Sequence, residues 1–111
     1  MALNRKILPK EEKLLELLVE KSSMNFPSNW KENLLVCTMQ DGEMGSLQLF
    51  PHGSAKENRL FGKRISEYQF TDEDGVEVIA SLNIDDNGDL LELDIWKTDF
   101  SSLKKIPDHL Y

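Results

Sequence analysis

The sequence is poor in the residues that disulfides and metal sites need. It contains one cysteine, Cys37, and two histidines, His52 and His109, among 111 residues. A single cysteine cannot form an intramolecular disulfide, and two distant histidines with one cysteine do not supply the three or four ligands of a zinc site. We therefore expect no metal and no cofactor, with Cys37 as an inert thiol in the apolar run at residues 34–37.

A long hydrophobic run is also missing. Charged side chains interrupt the N-terminal stretch MALNRKILPKEEKLLELLVEK, which excludes the continuous apolar segment of a signal peptide or of a membrane-spanning helix. Together with the lone reduced cysteine, this absence predicts a cytoplasmic protein with no membrane partner.

Positive charge is scarce. The chain has 13 lysine and arginine residues against 20 aspartate and glutamate residues, which gives a formal net charge of -7 at pH 7. Nucleic acid phosphates repel such a surface, so we expect no nucleic acid partner. A basic protein would instead be steered towards it, although net negative charge also keeps a small protein soluble without any partner.

Catalytic motifs are absent as well. His52 and Ser54 lie in a loop at residues 51–58, but neither a nucleophile-elbow context nor a second motif that would orient a base accompanies them. Gly42 and Gly45 are not followed by the lysine and the helix of a phosphate-binding loop. The residues therefore predict that the protein is not an enzyme.

What the sequence does contain is enough apolar residues for one core. A length of 111 residues with 40% hydrophobic residues predicts a single domain over residues 1–111. Pro9 suits the first turn of a helix, and Leu14, Leu17 and Leu18 then share one face at spacings of three and four. This pattern predicts a helix over residues 9–21.

Strand-like segments follow the helix. Short connections join all but one pair of them, and such connections are too short for parallel crossovers. Ile65 is out of phase with its neighbours, which indicates a bulge, and the acidic turn at residues 71–75 is expected to be solvated. We predict an α+β fold in which the N-terminal helix packs on a largely antiparallel five-stranded meander sheet. The predicted strands are residues 34–39, 46–50, 63–70, 76–84 and 90–97.

The last two predicted strands carry the most informative pattern. Apolar residues alternate along both, and the Asn87-Gly88 pair between them favours a tight hairpin turn. Two positions are open for Trp96. It either lies on the acidic face, opposite the face that packs on the core, and anchors a partner there, or it reaches the core if the strand bulges near Lys97. The alternation assigns Val76, Val78, Ala80, Leu82, Ile84, Leu91, Leu93 and Ile95 to the core. It assigns Glu77, Glu92, Asp94 and Trp96 to the other face, where we predict partner binding.

The same hairpin loosely matches a calcium-binding loop. Asn83, Asp85 and Asn87 supply side-chain oxygens at the first, third and fifth positions, Gly88 stands at the sixth, and Asp94 stands at the twelfth. Two features disfavour this interpretation. Aspartate is shorter than the glutamate that normally binds in bidentate fashion, and the flanking segments have strand periodicity where the calcium loop needs helices. We therefore expect a hairpin turn.

Two segments resemble a family of uncharacterised bacterial domains. They are DGEMGSL at residues 41–47 and LELDIWKTDFSSL at residues 91–103. In that family a Leu-x-x-x-Glu helix is followed by a Met-Gly-Ser-Leu strand and a Leu-Asp-Ile-Trp-Lys ending, and the resemblance extends from about residue 8 to residue 107. The family has no established activity, so it implies a fold and no catalytic residues. Its members resemble small acidic proteins encoded beside secreted toxin modules, including contact-dependent inhibition systems.

Three functional hypotheses follow. In the first, the protein is an immunity-type inhibitor that binds and neutralises a basic toxin domain, for example a nuclease. In the second, it is a small enzyme or ligand-binding module with its site in the loop at residues 51–63, where His52 and Ser54 face Arg59 and Lys63. In the third, it associates with itself through an exposed edge strand.

Overall fold

The computed structural model describes residues 4–40, 42–53 and 59–110. The helix has the predicted bounds, and each strand begins and ends within two residues of its predicted position. Ser54, which the sequence analysis considered as a nucleophile, lies outside the described residues. The described residues form α1 (Pro9–Lys21), β1 (Leu35–Thr38), β2 (Leu47–Phe50), β3 (Phe61–Thr71), β4 (Glu77–Asp85) and β5 (Leu90–Lys97).

Local sequence sets the start of α1. Pro9 lies in the first turn, where its missing N–H leaves no helical hydrogen bond unmade. The Glu11 carboxylate accepts a hydrogen bond from the backbone N–H of Leu8 at 3.0 Å, which satisfies a donor at the helix start. No helix in the described part of the chain has the length and apolarity to cross a membrane. The residues of α1 that are completely buried against the sheet are Leu14, Leu15 and Leu18.

The strands form one open antiparallel sheet in the order β1-β2-β5-β4-β3, which confirms the predicted α+β fold. The order differs from a simple meander at one place: β1–β2 and β3–β4–β5 are neighbours in chain order, but β2 pairs with β5 instead of β3. The connection between β2 and β3 is long enough for this arrangement. Its residues 51–60 can span roughly 33 Å when extended, whereas three inter-strand steps cover about 14 Å.

The helix and the C-terminal segment cover the same face of the sheet. Alternate residues of β4 from Val78 to Ile84 are buried on that face. The segment after β5 lies back across it, with Leu103, Ile106 and Leu110 packed against the core. We call the opposite side of the sheet the outer face.

Three register shifts interrupt the alternation. Two occur in β3, one between Phe61 and Lys63 and the other around Ile65, and only the one around Ile65 was predicted. The third occurs at Leu91 in β5 and was not predicted; there Leu90 takes the core position opposite Ile84. The prediction that Leu91 belongs to the core alternation is therefore wrong, and this side chain is half-buried.

The turn at residues 71–75 is not the fully solvated turn that the sequence predicts. Asp72 is only 4% exposed, because the segment after β5 lies over it. Lys97 Nζ donates hydrogen bonds to Asp72 Oδ2 at 2.9 Å and to Asp74 Oδ2 at 2.6 Å. The prediction failed because the partner of these carboxylates is distant in sequence.

Candidate protein-binding face

The four residues predicted to bind a partner all lie on the outer face. In the antiparallel register Trp96 is opposite Ile79, Asp94 is opposite Ser81, and Glu92 is opposite Asn83. Side chains of cross-strand partners point to the same side of a sheet. Glu77 lies on the same side at the first residue of β4, opposite Thr71 of β3.

Trp96 is exposed, so the alternative in which it reaches the core is wrong. Its side chain remains 46% accessible to solvent. Its ring lies against that of Phe100, with 6.0 Å between the ring centroids and 48° between the planes. This is a tilted arrangement within the range that aromatic pairs favour. Phe100 is 69% exposed, so the two rings form an aromatic surface at one end of β5.

The backbone holds Phe100 in an unusual conformation. Its φ is +63°, in the left-handed region that bulky side chains rarely adopt. The backbone N–H of Phe100 donates a hydrogen bond to the carbonyl of Lys97 at 2.8 Å, which closes a turn directly after β5. This turn places the ring of Phe100 beside the indole of Trp96. No signal in the sequence predicted Phe100 as part of the site.

Two carboxylates on the same strand and face as Trp96 repel each other. Partial burial, followed by the negative charge of Asp94, raises the pKa of Glu92 above its ordinary value. Asp94 is held by a hydrogen bond that Asn83 Nδ2 donates to its Oδ2 at 2.6 Å. The positive charge of Arg59 acts against this increase, but the pKa of Glu92 remains raised, so the pair is still electrostatically unfavourable and a further cation would relieve it.

Glu77 differs from this pair because it is already saturated by polar neighbours. Its two carboxylate oxygens accept hydrogen bonds from Gln69 Nε2 and Thr71 Oγ1, each at 2.8 Å. The hydrogen bond from Gln69, and then that from Thr71, lowers the pKa of Glu77. Glu77 contributes negative charge to the outer face, but its oxygens are engaged within the protein.

The end of β5 is anchored from the core side by Lys97. Its side chain is fully buried, and besides Asp72 and Asp74 it donates a hydrogen bond to the carbonyl of Ser102 at 3.1 Å. Burial alone would lower the pKa of Lys97, but the hydrogen bonds to the two aspartates raise it. This anchor was not predicted, although the period-two pattern places Lys97 on the core side with Leu93.

Asp72 is the centre of the same network. The backbone N–H groups of Lys104 and Lys105 donate to its two oxygens at 2.8 and 3.0 Å. Burial would raise the pKa of Asp72, but the hydrogen bonds from Lys97 and from these amides lower it to about 2. The network ties β5 and the segment after it to the β3–β4 turn, and so it positions Trp96 and Phe100.

The loose calcium pattern folds as the predicted hairpin turn. Asp85 Oδ1 accepts hydrogen bonds from the backbone N–H groups of Asn87 and Asp89, each at 2.9 Å. Its other oxygen accepts a hydrogen bond from Arg59 Nε at 3.0 Å. Within residues 4–40, 42–53 and 59–110, no three histidine, cysteine, aspartate or glutamate side chains lie close enough to hold a metal ion.

The alternative site at residues 51–63 is only partly described. His52 is exposed, with its Nε2 3.7 Å from Asp89 Oδ1. Arg59, which the sequence analysis placed in that site, is instead engaged with Asp85 and with the carbonyls of Leu49 and Leu90. Its guanidinium is therefore already occupied by contacts within the protein.

Comparison with known proteins agrees with the resemblance seen in the sequence. No significant match is found among the curated proteins or among the solved structures. The family described as a domain of unknown function (DUF6984) matches residues 4–107. The chain therefore belongs to the DUF6984 family.

Proposed function

We propose that this protein is a binding protein, not an enzyme, and that it docks a basic protein domain on its outer face. By the same proposal it is of the immunity type, and the bound domain is a toxin, such as a nuclease, that it neutralises. The observation that carries the proposal is the exposed Trp96 on the same strand and the same face as the carboxylates of Glu92 and Asp94. Exposed tryptophan surrounded by polar groups is typical of interface hot spots.

Charge supports the choice of a basic partner. The net charge of -7 gives the whole surface a field that accelerates the approach of a cationic domain. Glu77, Glu92 and Asp94 concentrate negative charge on the face that also carries the exposed aromatic rings. The carboxylates would then contribute mainly to the rate of association, and Trp96 to the lifetime of the complex.

Affinity capture from the native cell tests this proposal. The wild-type chain and a Glu92→Lys/Asp94→Lys variant serve as baits at low salt, and captured proteins are identified by mass spectrometry. We expect the wild type to retain a basic protein that the variant does not retain. That protein is then produced in a test strain, alone and with the wild-type chain, and we expect growth arrest only when it is alone.

A Glu20→Lys/Glu32→Lys variant is the matched control. Both glutamates are exposed on the helix side of the protein, and the control carries the same net charge as the outer-face variant. Equal loss of capture in both variants would show that total charge, and not the outer face, determines binding. A captured protein that does not arrest growth would contradict the immunity assignment and leave only the binding role.

A further inference from the structure

We propose that Trp96, Phe100 and the Glu92–Asp94 pair form a receptor for an arginine side chain of the partner protein. This inference deepens the proposed function and rests on it for the identity of the face. It adds Phe100, which no pattern in the sequence indicated, and it specifies the group that the partner must present.

The aromatic half of the receptor includes a residue with a strained backbone conformation. Phe100 has a positive φ and is among the most exposed large apolar residues. A left-handed backbone conformation is unfavourable for a residue other than glycine. An exposed ring offsets little of this unfavourable free energy by burial, whereas a ring covered by a partner offsets more of it. The position of Phe100 against Trp96 is therefore suited to binding.

The acidic half is selected by comparing the carboxylates of this region. Glu77 accepts two side-chain hydrogen bonds, and Asp99 Oδ1 accepts two hydrogen bonds from Ser101. Asp94 also accepts a hydrogen bond, from Asn83, but its negative charge acts on Glu92, which lies on the same face of the strand that carries Trp96. A cation between them and the indole would replace a repulsion with two attractions.

Geometry favours arginine over lysine as that cation. Alternate residues of a strand lie roughly 7 Å apart, so a planar guanidinium over the Trp96 indole reaches the carboxylate of Asp94. Arginine combines stacking on an aromatic face with paired hydrogen bonds to a carboxylate, which the compact ammonium group of lysine cannot do. The partner is therefore a protein surface with an exposed arginine.

A second copy of this chain does not fit the same face. In a two-fold symmetric dimer the same patch faces itself, which would bring Glu92 and Asp94 close to the same carboxylates of the other copy. The resulting repulsion is unscreened at low salt. Charge complementarity thus separates a basic partner from self-association.

Fluorescence titration tests the receptor. A Trp30→Phe variant leaves Trp96 as the sole tryptophan, and a Trp96→Phe variant leaves Trp30 as a control. The probes are acetylated hexa-arginine, hexa-lysine and hexa-citrulline peptides, with calorimetry on the wild type as a second measurement. We expect saturable quenching of Trp96 only, with hexa-arginine binding about threefold more tightly than hexa-lysine and no binding of hexa-citrulline.

Two further variants locate the contacts. Glu92→Gln/Asp94→Asn should abolish binding of hexa-arginine, whereas the matched Glu20→Gln/Glu32→Gln variant should retain it. Phe100→Gly should weaken the binding of hexa-arginine more than the binding of hexa-lysine. Equal binding of both cationic peptides, or unchanged binding in the outer-face variants, would overturn the inference. If a captured toxin still requires Glu92 and Asp94 in that case, the proposed function stands without the arginine receptor.

Discussion

Lys97 Nζ lies 2.9 Å from Asp72 Oδ2, and both side chains are fully buried. The pair connects the end of β5 to the turn before β4, which are 25 positions apart in the sequence. The carboxylate of Asp72 also accepts hydrogen bonds from the backbone N–H groups of Lys104 and Lys105. One carboxylate thus holds together the turn, the last strand and the segment that covers the core.

Replacing Asp72 with alanine should strongly destabilise the protein. The change leaves the buried ammonium of Lys97 without its main partner and the two amides without an acceptor. Removing one member of a buried ion pair costs about 3 kcal/mol or more, and urea unfolding measures it. The exposed Asp86 provides the control, since Asp86→Ala should change the free energy of unfolding by less than about 0.5 kcal/mol. Similar values for the two variants would exclude the anchoring role of Asp72.

The same carboxylate predicts a specific loss of stability in acid. The pKa of Asp72 falls from 3.8 to about 2 on folding. A lowered pKa stabilises the folded state above the unfolded value, and this contribution disappears as the pH falls from about 4 to about 2. Thermal unfolding of the wild type and of Asp72→Asn across this range should show a difference in melting temperature that becomes smaller towards pH 2. A difference that stays constant with pH would contradict the lowered pKa of Asp72.

Glu92 predicts the opposite dependence on pH. Its pKa is raised by partial burial and by Asp94, so folding favours the protonated form, and this contribution is lost as the pH rises through the folded pKa. Glu92→Gln should therefore raise the melting temperature at pH 7 and have little effect near pH 4. A variant that is less stable than the wild type at pH 7 would show that the repulsion is not significant.

Phe100 allows stability and binding to be separated. Glycine adopts a positive φ without strain, whereas alanine keeps the strain and also removes the ring. Phe100→Gly should be about 1 kcal/mol more stable than Phe100→Ala in urea unfolding. Both variants should bind hexa-arginine equally weakly, since neither carries the ring. If Phe100→Ala is as stable as Phe100→Gly, the backbone at this position is not strained.

Much of the fold was predictable because it depends on local pattern. The 3.6-residue spacing of Leu14 and Leu18 predicted α1, and the alternation in β4 and β5 assigned Glu77, Glu92, Asp94 and Trp96 to the outer face. Leu91 was assigned wrongly because a bulge inserts one residue, and the alternation gives no indication of where a bulge occurs. The sequence could not decide whether Trp96 is exposed or buried, since that depends on what covers the end of β5.

The sequence by itself determined the helix and the strands, the face of each that packs on the core, and the negative charge. Backbone periodicity decides this, because it fixes which residues of a helix or strand lie on the same side. Tertiary structure decided which distant groups meet. It inserted β5 between β2 and β4, buried Lys97 against Asp72, and placed Phe100 beside Trp96. These contacts depend on how the chain returns across the sheet, and the free energy of such pairings comes from packing and charge neutralisation that no local stretch of residues contains.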